Sequence, residues 1–270
     1  MLAAMSLALT PQHLAPGDTR SAALDLTDFE ITRIRSIDDP LFETAYEALW
    51  QEFGWKHEME QRDVLARRFG LAPAMLYEVV LVRREGAVAA VRDHTAISAD
   101  GEVVVHLSHN LVTPEWRRGG LAGWMRAIPL LAADELVPGA PVTLVGEMEY
   151  ESPDDPARAI RLRAYEKAGF VKVDPGVVHY HQPDFRPPTE IDASGGPQPV
   201  PFQLLLRQVG RDTDAAISGA RLRTIVAALY QMYGSQFRPQ DMLHPALDLN
   251  AFPPPDASIP LLPPTAVVNA

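Results

Sequence analysis

The chain has 270 residues, 47% of them apolar and 22% charged, with 25 prolines, no cysteine and a formal net charge of −11. That composition suits one large globular domain with extensions, and it excludes disulfides, thiolate metal sites and a cysteine nucleophile. The acidic balance argues against nucleic-acid binding and favours a cationic partner. No apolar run is long enough to span a membrane, and the apolar start MLAAMSLALTPQH lacks the leading Lys or Arg of a signal peptide, so a cytoplasmic protein with no membrane partner is expected.

Residues 1–28 contain Pro11, Pro16 and Gly17 without periodicity and read as an arm. Phe29 to Ile34 alternates as a strand. Asp38-Asp39-Pro40 offers a helix start, continued by Phe42, Ala45, Leu49 and Phe53 on one face; a second helix is expected from Glu58 to Phe69. Trp50, Phe53, Trp55 and His57 gather at the joint between them. Strands follow at Glu78–Arg83, Ala87–Ser98 and Val103–Val112, the last two joined by a type I′ turn at Asp100-Gly101. That register sets Thr95 opposite His106 and Arg92 opposite His109, with Asp93 and His94 beside them.

Pro114 ends the third strand, and Arg117-Arg118-Gly119-Gly120 turns into a helix carrying Leu121, Trp124, Met125 and Ile128 on one face. Glycines at such a bend let the backbone approach a ligand, and successive free N–H groups there suit a phosphate. Pro129 should kink this helix about one turn upstream, near Met125. A strand from Val142 to Tyr150 carries Glu147, Glu149 and Glu151 on one face, so they should line solvent or a polar pocket. A helix then runs from Pro156, capped by Asp155, to Gly169. Strands are expected at Val177–His181 and Phe202–Val209, separated by a mobile Pro/Gly-rich loop, and a last helix spans about Asp214 to Tyr233. The tail from Arg238 has eight prolines and should form no regular element, although Leu261, Leu262, Val267 and Val268 offer a docking surface to the domain or a second subunit. There is no internal repeat.

Two motifs carry a resemblance. Arg117, Gly120 and Ala122 make R-x-x-G-x-A after Val112, Pro114 and Trp116, and Tyr165, Gly169 and Phe170 make Y-x-x-x-G-F one strand later. In that order they resemble the GNAT superfamily of N-acetyltransferases, whose consensus is [QR]-x-x-G-x-[GA]. The resemblance implies an α/β protein with a mixed, largely antiparallel central sheet flanked by helices, the acyl-CoA N-acyltransferase fold. It implies a GNAT domain over 29–236, including a C-terminal strand and helix at 200–236, followed by a Pro-rich tail at 237–270.

The function implied is acetyl transfer from acetyl-CoA directly to an amine on a small molecule or peptide, without a metal. The alternative is an inactive acyl-CoA-binding module of the same fold. Backbone amides of Arg118, Gly119, Gly120, Leu121 and Ala122 would hold the pyrophosphate, with Arg117 of the same motif also among the cofactor-binding residues. An amide near Leu111 and Val112, at a bulge, would polarise the thioester. Tyr165 would protonate the departing thiolate. Glu147 or Glu149 would be the base, with His106 as a proton relay, and the helix joint at Trp50 to His57 would overhang the acceptor.

Overall fold

In a computed structural model of the chain, which describes residues 9–56, 58–71, 73–151 and 155–268, the alternating segments meet in one sheet. The arm contains a short turn of helix, α1 (Thr19–Ala22), before β1 (Glu30–Ile34), α2 (Phe42–Phe53) and α3 (Arg62–Arg68). β2 (Met75–Arg84), β3 (Ala87–Ala99) and β4 (Glu102–His106) form the antiparallel core. Asp100 and Gly101 both have positive φ, as the expected I′ turn requires.

The chain then runs through β5 (Asn110–Val112), α4 (Leu121–Ala127), α5 (Pro129–Leu136), β6 (Val142–Met148) and α6 (Pro156–Lys167). β7 (Val171–Val173), β8 (His181–Gln182), α7 (Pro188–Ala193), β9 (Val200–Pro201) and β10 (Gln203–Gln208) follow. β11 (Ala216–Ser218), α8 (Gly219–Gly234) and β12 (Ser258–Leu262) complete the described fold. The sheet order is β1-β2-β3-β4-β6-β10-β7-β12-β11, with β5 beside β3 and β8-β9 a separate small ladder. β4 and β6 are parallel and the other neighbours antiparallel. This is the mixed, largely antiparallel sheet flanked by helices that the resemblance implies. No helix among the described residues is long and apolar enough to cross a membrane.

Strand periodicity sorts the side chains onto two faces. Val79, Leu81 and Val91 pack with Phe42, Ala45 and Leu49 of α2, while Val104, Val145, Leu204 and Leu206 pack with α8. On the other face Val80, Val82 and Ala90 meet α4, and Val103, Val105, Leu144 and Leu205 meet α5 and α6. Both faces are covered, so the central strands carry buried side chains on both sides, among them the polar run Arg92 to Thr95 on β3.

Pro129 acts as expected, but the helix breaks at Ile128 rather than at Met125. The missing N–H at 129 leaves the Met125 carbonyl without its helical donor. Fully buried Arg92 fills that role, its Nη1 donating to Met125 O at 2.9 Å.

Four expectations are corrected. Val177–His181 is not a strand in the sheet; the pairing residues are Val171–Val173, directly after Phe170. The Pro/Gly-rich loop contains α7, begun by Pro188. The last helix starts only at Gly219, because Ala216–Ser218 is committed to β11. The proline-rich tail is ordered, and its Ser258–Leu262 inserts between β7 and β11. Pro260 is tolerated there because its carbonyl, not its nitrogen, makes the bond, accepting from Asp174 N at 3.1 Å.

Candidate active site

The site begins as a mismatch in register. β4 sets Thr95 opposite His106, as expected, but β5 sets Arg92 opposite Asn110. One extra residue is therefore accommodated over Leu107–His109, a bulge lying upstream of the expected place at Leu111–Val112. The parallel ladder between β4 and β6 ends where Leu107 N donates to Val145 O at 2.8 Å. Beyond it β5 stays with β3 while β6 continues to Met148, and the two part.

Asp93 N bonds His109 O and Thr113 N bonds Ala89 O, so the odd-numbered positions face β3. The amides of Asn110 and Val112 consequently point into the opening, and that of Leu111 turns toward β3. A cavity of about 920 Å³ runs through the gap, reaching Glu58, His106, His109, Glu147 and Tyr233 at one end and Arg117, Gly120 and Ala122 at the other.

The slip also decides which residues reach the site. Asp93 reaches His109, whereas Arg92 and His94 lie on the opposite face, His94 Nε2 standing 3.2 Å from buried Glu78.

On the α8 face Glu147 is buried within a cage of donors. Its carboxylate accepts from Tyr233 Oη at 2.6 Å, Gln182 Nε2 at 2.9 Å and the hydroxyl of Tyr180, and it meets His106 Nε2 at 2.7 Å. Burial alone would raise its pKa; the His106 contact and the two tyrosine hydroxyls outweigh it and hold the carboxyl at about 2. Of the two surroundings expected for the E-x-E-x-E run, solvent or a polar pocket, Glu147 has the second. The second ring nitrogen, His106 Nδ1, faces Ser108 Oγ at 3.1 Å, leaving it able to exchange a proton.

His109 is differently fixed. Its Nδ1 meets Asp93 Oδ1 at 2.8 Å and its Nε2 meets the Glu58 carbonyl at 2.8 Å, two acceptors that together require the imidazolium. Burial opposes that charge, but Asp93 prevails and lifts the pKa to about 9. A folded pKa raised above the unfolded value of roughly 6.5 stabilises fully below pH ~6.5 and loses that contribution as pH rises through 9. Urea midpoints taken from pH 6 to 10 should therefore fall on the alkaline side, and His109→Gln should flatten that fall; an unchanged alkaline slope in the variant would refute the assignment.

Arg68 joins the two clusters. It is fully buried, paired with Glu60, bonded through Nε to Gln236 Oε1 at 2.6 Å, and stands 3.9 Å from Asp93. Phe53 from the helix joint packs with its ring tilted 47° to that of His109, centroids 5.2 Å apart, and lines the cavity, while Trp55 is exposed and Trp50 packs on Tyr46. His57 lies outside the described residues.

Glu149 reaches the cavity but is held by Arg161 at 3.0 Å and Arg158 at 3.7 Å, and Glu151 is exposed. Glu58, which the sequence reading passed over, also lines the cavity; burial, then the charge of Glu149, raises its pKa.

On the α4–α6 face, Tyr165 lies over Gly146, where a Cβ would come within 3.9 Å of its hydroxyl. Its ring also packs edge-on against Phe170 at 4.9 Å. At the far end of the cavity the bend stands as the motif suggests, with Arg118 at φ 66° and Gly120 at φ 98°. Among the described residues none of the amides from Arg118 to Ala122 donates a hydrogen bond, so five consecutive N–H groups are free. Arg117 is tied differently: its amide bonds Pro114 O at 3.3 Å and its Nε bonds Val112 O at 3.0 Å. These donors suit a pyrophosphate.

No family model and no curated protein matches the chain. Solved structures resemble it over part of its length. A Bacteroides thetaiotaomicron protein described as an acetyltransferase of the GNAT family aligns at 17% identity with a TM-score of 0.45, covering 66% of this chain and 86% of that one. An acyl-CoA N-acyltransferase of Pseudomonas aeruginosa aligns at 19% identity and 0.38, over 66% and 99%. The N-acetylglutamate synthase of Neisseria gonorrhoeae, solved with coenzyme A and N-acetyl-glutamate, aligns at 13% identity and 0.40, over 67% and 36%.

Proposed function

We propose that the chain is an acetyl-CoA-dependent N-acetyltransferase that moves an acetyl group directly to an amine. One observation carries the reading: a single cavity threads the parted strands β5 and β6, with His106 and Glu147 on one face, Tyr165 on the other and five free amides at its end. The free amides of Arg118 to Ala122 would hold the diphosphate of the thioester substrate, and the pantetheine arm would lie in the opening against Asn110 and Val112.

The roles divide by face. His106, oriented by Glu147, accepts the proton of the incoming ammonium through Nδ1, directly or by way of Ser108. The freed amine nitrogen bonds to the thioester carbon while an amide of β5 steadies the carbonyl oxygen. As the carbon–sulfur bond breaks, the Tyr165 hydroxyl gives its proton to the sulfur, and the second proton shed by the nitrogen as it becomes the amide returns through water to the phenolate. Glu58 and Glu149 at the acceptor end, in a chain of net charge −11, favour a cationic amine.

Thiol release from acetyl-CoA across a panel of small-molecule and peptide amines tests the reading. Tyr165→Phe should lower turnover by about tenfold or more with little change in KM. Tight CoA binding with no thiol release for any amine would instead favour a binding module.

A further inference from the structure

The expectation that Gly120 keeps the bend clear for a ligand meets a second tenant. A Cβ on Gly120 would stand 2.5 Å from Arg20 O, and one on Gly123 would stand 2.0 Å from Ser21 Oγ. These glycines are needed by the N-terminal arm, which lies against the start of α4. Ser21 Oγ donates to Gly120 O at 2.6 Å, Trp124 Nε1 donates to Ser21 O at 2.7 Å, and Asp18 pairs with Arg126 at 2.8 Å. At its other end Gly17 approaches the last turn of α6 so closely that a Cβ would lie 2.1 Å from Lys167 O. The arm therefore bridges α6 and α4, the two helices that flank the cavity on this face.

The arm does not fill the cavity. Residues 17–21 line it together with Arg117, Gly120 and Ala122, so the arm forms one of its walls. Most arginines of this acidic chain are spoken for, as Arg126 is by Asp18. Arg20, Arg117 and Arg118 make no ion pair among the described residues, and all three line this end of the cavity, beside the free amides. Three arginines without an ion pair and a run of free N–H groups lining one cavity make a donor set that suits an anion with several oxygens.

We propose that residues 17–21 are a strap of the nucleotide site, latched to α4 through Ser21 and Asp18, and that Arg20 on that strap is a phosphate-binding residue. The proposal rests on the acetyl-CoA reading and adds to it a ligand from outside the two sequence motifs. The backbone turn from Asp18 to Ser21 is pinned on both sides of Arg20, so the side chain is presented at little entropic cost.

The test compares CoA, 3′-dephospho-CoA and S-acetyl-pantetheine by titration of tryptophan fluorescence, Trp124 being bonded to the strap. Arg20 is exposed, so Arg20→Ala should fold as the parent does. It should weaken CoA binding about 10- to 100-fold, as loss of a charge-assisted hydrogen bond does, and leave S-acetyl-pantetheine unchanged. Arg20→Lys should recover part of the loss. A comparable loss with dephospho-CoA assigns Arg20 to the diphosphate, and a loss confined to CoA assigns it to the 3′-phosphate. Parental CoA affinity in Arg20→Ala, or equal weakening of S-acetyl-pantetheine, would overturn the strap alone. A wild-type chain that binds no CoA would overturn the functional reading, and the strap with it.

Discussion

Arg68→Met should cost the fold about 3–5 kcal/mol, seen as a lower urea midpoint at an unchanged slope. Arg68 has no exposed surface, and its partner Glu60 is 1% exposed at the side chain. Removing the cation strands that carboxylate in a low-dielectric interior and takes away a cationic neighbour of Asp93. The loss is therefore one of desolvation left uncompensated, not of a single hydrogen bond. Pairing Arg68→Met with Glu60→Gln should recover much of it, because the stranded charge is then gone. A single variant within 1 kcal/mol of the parent would mean that this polar cluster is solvated in a way its burial denies.

His106→Ala should lower turnover about 10²- to 10⁴-fold while leaving CoA affinity within a factor of a few, since the free amides at the bend lie at the opposite end of the cavity. The remaining activity should rise steeply with pH, because the amine must then arrive already deprotonated. In the parent, the acid limb of the profile is not that of Glu147, whose carboxyl is held at about 2 and is ionised throughout the working range. Turnover of His106→Ala within twofold of the parent at neutral pH would remove the histidine from the base role.

What could be read from the chain alone was set by how far apart the deciding contacts lie. The Asp100-Gly101 turn, the Gly120 bend and the Gly169 cap each depend on a local backbone conformation that few residues adopt, and all three stand where the sequence places them. The register of β3 against β4, with Thr95 opposite His106, followed from the Asp100-Gly101 turn. The bulge did not, because nothing in Leu107-Ser108-His109 marks an extra residue. Its one-residue slip places Asp93, and not Arg92, opposite His109.

The cage around Glu147 was equally hidden. Tyr233 was legible only as the expected end of the last helix, and it reaches the carboxylate across 86 positions of chain. Tyr180 sits in a segment expected as a sheet strand and Gln182 lies just beyond it, and Arg68 gave no local sign of burial. β7 and β12 are short, and β12 is interrupted by proline; each is a strand through pairing with partners distant in sequence, β7 with β10 and β12, and β12 with β7 and β11.

That last dependence bears on biosynthesis. β12 lies inside the sheet, flanked by β7 and β11, and is made after both of them. While Ser258–Leu262 is still within the ribosome, β7 and β11 have no strand between them and Ile259 and Leu261 are missing from the cluster that seats α8. The half of the protein holding Tyr233 can thus finish only after release of that segment, and a stop codon ahead of it should yield chains that chaperones retain and proteases remove.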